Sequence, residues 1–240
     1  MIISIFTPCM FTPIDHLSVF VIIPAYDEKE VIKSVIDDLL PHNYKLVVID
    51  DGSSTSLYPL LQNKPVYFLR HKVNLGQGAA LQTGIEFALS KGAEYIVTFD
   101  ADGQHDANDI EKLLQMMISP DTEIVFGSRF MQGAVHNMTP VRKLFLQLAR
   151  YINYFFTGLL LTDAHNGLRA MSRSAAEKIR IKENTMAHAT EILSQVAKKN
   201  ISYKEVPVRI HYTSYSRKKG QSVWNGFRIF FDLLLAKIFR

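Results

Sequence analysis

Apolar residues along the chain fall in short runs that alternate with stretches of helical periodicity. Val19 to Tyr26, VFVIIPAY, is a compact β-branched run halted by proline, and it predicts a buried strand. DEKEVIKSVIDDLL follows, with Val31, Ile32, Val35, Ile36, Leu39 and Leu40 at helical spacing and Pro41 as the stop. YKLVVIDDGSS predicts a second strand, VYFLRH a third, and GQGAALQTGIEFALSKG a helix with a glycine-rich start. YIVTFDADGQH is again a strand running into acid, DIEKLLQMM is helical and EIVFGSRF is a strand. This alternation predicts an α/β class with a mainly parallel sheet covered by helices on both faces. Neither an internal repeat nor a low-complexity segment interrupts it.

In open sheets of this kind, ligands bind beyond the carboxyl ends of the strands. Tyr26, Asp27 and Glu28 follow the first strand, Asp50 and Asp51 the second, Asp100 and Asp102 a later one. Three strands that deliver acid to one rim point to a shared ligand. Residues i and i+2 of an extended chain point to the same side, so Asp100 and Asp102 would converge and repel unless a cation lay between them. A divalent metal would remove the conflict. An ordinary polar turn is the plain competitor. A calcium loop is a second, and it fails: His105 stands where the EF-hand needs glycine, and a strand precedes the acids where a helix should. NLGQGAALQTG contains Gly76-x-Gly78 but Leu81 at the third fingerprint position, which argues against a dinucleotide site. Its glycines would permit either a helix start close under a ligand or close helix packing.

Composition narrows the class. At 240 residues, 48% hydrophobic and 21% charged, the chain suits one α/β domain with a tail. The single cysteine, Cys9, excludes a disulfide framework or a cysteine-based zinc site and fits a reducing compartment, so the cytoplasm is expected. No apolar run reaches the roughly 18 residues of a membrane span. The first 18 residues are apolar but lack a basic n-region and carry two prolines, a poor fit to a signal peptide. Residues 196–240 carry ten Lys or Arg against Glu205 and Asp232, a net +8, which leaves −4 for the remainder under an overall +4. A basic end suggests phosphates, nucleic acid or an anionic membrane face. No nucleic-acid motif accompanies it, so nucleic acid is not expected as a partner.

VIIPAYDE, VVIDDGSS, NLGQGAALQTGIEFA, FDADGQH, FGSR and DAHNGLRAMSR, in that order from Val19 to about Ser222, resemble the motif series of family-2 glycosyltransferases with the GT-A fold. Within that family the chain is most similar to polyprenyl-phosphate sugar synthases of the dolichyl-phosphate mannose synthase type. The resemblance implies a nucleotide-sugar donor, with Pro24, Tyr26, Glu28, Ile49 and Asp51 where the family holds base and ribose. A carboxylate suits that place, since it accepts from a nucleobase N–H or ribose hydroxyls. Asp100, Ala101 and Asp102 match the family's Asp-x-Asp, which carries Mg²⁺ or Mn²⁺ on the diphosphate, and Gln104 is a further candidate ligand. Arg129 matches an arginine facing the donor phosphates or the acceptor, a role suited to a permanently charged, bidentate group. Asp163 aligns with the acid of the family's Asp-x-x-Ser-Gly-Phe-Arg pattern, where Asn166 and Leu168 depart from it. An acid there can act as general base on an acceptor hydroxyl, or orient groups if the acceptor is an ionised phosphate. Glu191 falls at a usual acidic position on a helix, where capping or ion pairing is an equal reading. His105, His165 and His188 form no metal spacing and are expected to be core or solvated.

Near the end, YSRKKGQSV resembles a basic loop that closes on phosphates; Arg217, Gly220 and Ser222 line up, while Val223 replaces the usual lysine. The expected organisation is an N-terminal extension over 1–18, a GT-A domain over 19–222 and an amphipathic helix over 223–240. In that helix Phe227, Phe230, Phe231, Leu234, Leu235 and Ile238 make an apolar stripe, with Arg228, Asp232 and Arg240 on another side. About 16 residues span roughly 24 Å, too short for a ~30 Å membrane core, so the helix is expected to lie on a membrane surface. Packing on the domain, or on a second subunit in a homodimer, is the alternative use of the stripe. The expected activity is inverting transfer of a sugar from a nucleotide sugar to a polyprenyl phosphate, peripherally on the inner face of the membrane. A saccharide acceptor, or nucleotide binding without turnover, is the competing reading.

Overall fold

A computed structural model describes residues 18–212. The elements are, in order, β1 (Val19–Ala25), α1 (Ile32–Leu39), β2 (Lys45–Asp50), α2 (Tyr58–Leu61), β3 (Val66–Arg70), α3 (Gln77–Ser90), β4 (Tyr95–Thr98), α4 (Asp109–Met117), β5 (Ile124–Ser128) and β6 (Val135–His136). Then come α5 (Pro140–Thr157), β7 (Arg169–Ser172), α6 (Arg173–Lys178), α7 (His188–Lys198), β8 (Tyr203–Pro207) and β9 (Arg209–Ile210). The expected strands and helices between Val19 and Ser128 are all present. Arg217, the basic loop around it and the 223–240 helix lie outside the described residues, as does nearly all of the 1–18 extension.

Seven strands form one sheet in the order β3-β2-β1-β4-β7-β5-β8, while β6 and β9 pair separately. Strand β1 is buried at every position, and its alternate residues feed two cores. Val19, Val21 and Ile23 pack in one with α1 and α4 residues such as Ile36 and Leu113. Phe20 and Ile22 pack in the other with Ile85 of α3 and Ile192 of α7. Helices thus cover both faces, which is why β1 reads as a continuous apolar run with no polar alternation.

One strand departs from the parallel pattern. β7 runs antiparallel between β4 and β5, pairing Arg169 with both Thr98 and Phe126. The departure has a geometric consequence. Parallel strands present their carboxyl ends to the functional rim, whereas an antiparallel strand presents its amino end there. The segment Asp163–Leu168, which leads into β7, therefore meets the residues that follow β4 and β5.

Candidate active site

A cavity of about 650 Å³ opens at this rim. Pro24, Tyr26 and Glu28 reach it from β1, Asp51 from β2, Asp100, Ala101, Asp102 and Gln104 from β4, and Arg129 from β5. Nine of the twelve residues expected to bind donor or metal or to act in catalysis therefore share one space. Ile49 and Asp163 do not line it. Ile49 is fully buried in the α3-side core beside Val47 and does not line the cavity, because its place in the pleat turns its side chain under the sheet. Asp163 lies behind Arg129, and Arg217 is outside the described residues.

The two acids after β2 have separate tasks. Asp50 is fully buried, accepts from the Ser53 and Leu57 amides at 2.9 and 3.1 Å, and so shapes the turn. Asp51 reaches the cavity and is held on three sides, by the Leu75 amide at 3.0 Å, the Gly76 amide at 2.8 Å and His71 Nδ1 at 2.7 Å. His71 is itself braced by the Thr83 hydroxyl, 3.0 Å from Nε2. Gly76 caps α3 at φ 103°, a conformation open to glycine, and Gly78 is so close to Glu183 that a Cβ would stand 1.9 Å from its carbonyl oxygen. Gly76 and Gln77 thus line the cavity, and Gly78 lets the start of α3 pack against Glu183.

Asp100 and Asp102 do not lie on extended chain, since β4 ends at Thr98 and a turn begins at Ala101. They are close nevertheless, and their environments differ. Asp100 accepts from Gln77 Nε2 at 3.0 Å on one oxygen and bonds His105 Nε2 at 3.1 Å on the other. Burial opposes its ionisation, but the His105 hydrogen bond and the nearby charges of His105 and Arg169 outweigh burial and hold its pKa below the usual range. Among the described residues, Asp102 has only the Gln104 backbone and side-chain amides as hydrogen-bond partners. Burial, followed by the negative charge of Asp100, pushes its pKa up to about 6. Asp102 is therefore the carboxylate that gains most from a cation. Among the described residues no cluster of three or more His, Cys, Asp or Glu side chains encloses a metal site. Two carboxylates in an open cavity fit a hard ion such as Mg²⁺ that completes its shell with substrate phosphates.

The sequence does not single out Arg169. His105, expected to be core or solvated, has a side chain only 4% exposed, and it also lines the cavity and holds Asp100. Its place five residues after Asp100 in DADGQH was the available signal. Arg169 is almost fully buried, its Nε and Nη1 lack hydrogen-bond partners among the described residues, and it stands near Asp100 and Asp163. Burial lowers its pKa against the pull of both acids. Burial also pushes His165 and His188 down to about 4, so both are neutral at pH 7.

Across the cavity, Arg129 donates to Asp163 from Nε at 2.6 Å and from Nη2 at 2.7 Å, and its own amide reaches the same carboxylate at 3.0 Å. Nη1 lies 3.2 Å from the Tyr212 hydroxyl. Burial opposes the Asp163 charge, but Arg129 outweighs it and keeps the carboxyl well below the usual range. Such an acid is a weak base, and it holds the guanidinium at the cavity wall. Glu191 accepts from the Lys182 and Glu183 amides, both at 2.9 Å, and serves as a cap for that segment.

Several known proteins are similar to this chain in sequence or fold. The chain is 35% identical over 243 residues to a UDP-N-acetylglucosamine–dolichyl-phosphate N-acetylglucosaminyltransferase of Methanococcus voltae, covering 92% of this chain and 96% of that one. It is 30% identical over 224 residues to a dolichyl-phosphate beta-glucosyltransferase of Dictyostelium discoideum, covering 82% and 67%. Its fold matches a glucosyl-3-phosphoglycerate synthase from Mycobacterium tuberculosis, solved with Mn²⁺ and UDP, at TM-score 0.65 and 17% identity over 80% of this chain and 70% of that one. The fold is accordingly of the GT-A type. Residues 20–180 match the profile of Glycosyl transferase family 2, and the chain belongs to that family.

Proposed function

We propose that this glycosyltransferase moves a sugar from a nucleoside diphosphate sugar to the phosphate of a polyprenyl phosphate, with help from a divalent cation. The observation that carries the choice of acceptor is the Arg129–Asp163 pair. A hydroxyl acceptor needs a base to take its proton, and the acid that the motif supplies has both oxygens committed to a guanidinium. A phosphate acceptor is already ionised and needs a cation to hold it, which Arg129 provides. The dolichyl-phosphate transferases of similar sequence support the same choice.

In this reading Asp51, Glu28 and Tyr26 bind base and ribose, and Asp102, with Asp100 and Gln104 beside it, would hold Mg²⁺ or Mn²⁺. The cation would supply Lewis-acid neutralisation of the leaving diphosphate. Arg129 positions an acceptor phosphate oxygen against the anomeric carbon. The new C–O bond forms as the bond to the diphosphate breaks, the electron pair leaves with the nucleoside diphosphate, and one displacement inverts the centre. Asp100, fixed by His105 and Gln77, keeps the acidic turn in place throughout. The reaction is assigned to the cytoplasmic face, where the protein would sit peripherally.

The test is transfer from a panel of labelled UDP- and GDP-sugars to a short-chain prenyl phosphate or to free saccharides, with Mn²⁺ or with excess chelator. Lipid-linked product that requires the cation supports the reading. Product only on saccharides removes the phosphate acceptor, and equal rates in chelator remove the metal.

A further inference from the structure

Helix α5 buries two polar side chains and leaves a set of large apolar ones outside. Its Asn153 and Thr157 are buried at 3% and 7% exposure, while Leu144 is 59% exposed and Phe155 82%. The amide of Asn153 is directed at the Thr190 hydroxyl on α7, 3.5 Å away, and the Thr157 hydroxyl donates to the Asn153 carbonyl at 2.8 Å. Val141, Leu144, Leu148, Tyr151 and Phe155, all exposed, follow one another at alternating steps of three and four. That spacing puts them on one stripe of the helix. A continuous stripe of large apolar side chains marks a surface made to be covered.

We infer that this stripe docks on the headgroup region of a lipid bilayer containing anionic lipids. Three observations select that occupant. The α5 sequence carries Arg142, Lys143 and Arg150 and neither Asp nor Glu, so its net charge matches an anionic surface. The same charge opposes a second copy seated face to face, and the basic 223–240 segment shares its sign. The aromatic members also suit an interface. Tyr151 and Tyr154 are exposed, and the Arg150 guanidinium lies 4.8 Å from the Tyr151 ring centre, giving amphipathic bodies for the boundary between chains and headgroups.

The helix is also placed beside the cavity. It packs against α7, and Thr185 and Met186, just before α7, line the cavity, Met186 itself being exposed. From the end of α5 the chain runs through the exposed Leu160 to His165 and Asn166, which line the cavity wall. No described helix is long and apolar enough to cross a membrane, so the contact is tangential. The surface rests on α5 alone; its use, bringing the cavity to a lipid-anchored phosphate, rests on the proposed acceptor.

The experiment is flotation of the full-length protein with phosphatidylcholine vesicles containing phosphatidylglycerol, comparing wild type with Leu144→Ser/Leu148→Ser/Phe155→Ser. All three side chains are exposed, so the fold is expected to survive, and transfer to a water-soluble short-chain prenyl phosphate checks that it does. The variant should float at least about tenfold less and keep that soluble activity. A truncation after Ser222 should retain more binding than the triple variant. Wild type that stays at the bottom, or a variant that floats as wild type does, overturns the inference. So does a wild-type dimer that the triple substitution separates with no change in flotation. Flotation by α5 without transfer to any prenyl phosphate would leave the docking surface standing and remove the acceptor reading.

Discussion

Gly167 lies against the carboxylate of Asp100 so closely that a Cβ at this position would stand 2.1 Å from Oδ2. The contact joins the approach to β7 with the turn after β4. Asp100 is held at the same time by Gln77 and His105, so it cannot withdraw without breaking those bonds. Gly167→Ala should lower the affinity for a nucleoside diphosphate in the presence of Mn²⁺ by about tenfold or more, while stability falls by about 1–3 kcal/mol from overpacking. Titration calorimetry measures the first and denaturant unfolding the second. Unchanged affinity would show that the placement of Asp100 does not matter to the donor.

Asp102 offers a pH test of the acidic turn. Its pKa is raised from 3.8 to about 6. Between those values the native state binds more protons than the unfolded state, so this group's contribution to stability falls as pH rises from about 4 to 6 and is constant above. Asp102→Asn removes the penalty. In chelator the variant should be more stable than wild type at pH 7.5, by on the order of 1–2 kcal/mol, with the difference fading near pH 4. Mn²⁺ with a nucleoside diphosphate should then stabilise wild type and leave the variant unmoved. A variant that is no more stable at pH 7.5 would mean that the repulsion is already relieved.

His71 is outside the cavity lining and acts on it through Asp51. With His71→Ala, Asp51 keeps the Leu75 and Gly76 amides but loses its side-chain support. The loss of one buried hydrogen bond costs about 1 kcal/mol. We expect a KM for the donor raised roughly fivefold to tenfold with kcat little changed, and a smaller effect of the same kind for Thr83→Val, which touches only the far ring nitrogen. A fall in kcat at constant KM would place His71 in the chemistry and not in donor binding.

The sequence carried the strands that bury both faces, because a run such as VFVIIPA has one physical use, and it carried the acid pair after β4, though on a turn and not on extended chain. It did not disclose β7. RAMS is four residues with no periodicity of its own, and its direction is set by pairing with β4 and β5. The position of Asp163 follows from that reversal, since its partner Arg129 is 34 residues away and follows another strand, β5. Ile49 was legible in principle: it shares strand parity with Val47, and both turn toward α3. For α5, periodicity defines a stripe but does not say which face is buried; in the structure Asn153 and Thr157 are buried, Phe145, Ile152 and Phe156 are half-buried, and the stripe from Val141 to Phe155 is outside.

The pairing of Arg129 with Asp163 separates two roles that the motif leaves open. If Asp163 were a general base, Asp163→Asn would cost ~10²–10⁴ in rate and remove the limb of the pH profile that reports its ionisation. A carboxylate with both oxygens on one guanidinium is built to hold that guanidinium. For this role Asp163→Asn should act mainly through a higher KM for the phosphate acceptor, with the shape of the pH profile kept. Stability supplies an independent readout. Asp163→Ala leaves a buried guanidinium without its counter-charge and should cost about 3–5 kcal/mol, as should Arg129→Met for the opposite reason. The double variant Arg129→Met/Asp163→Leu removes both charges together, so it should be less destabilised than the sum of the singles by at least about 1 kcal/mol. Additive singles, or a pH profile that loses its limb in Asp163→Asn, would return Asp163 to the chemistry and favour an acceptor that must give up a proton.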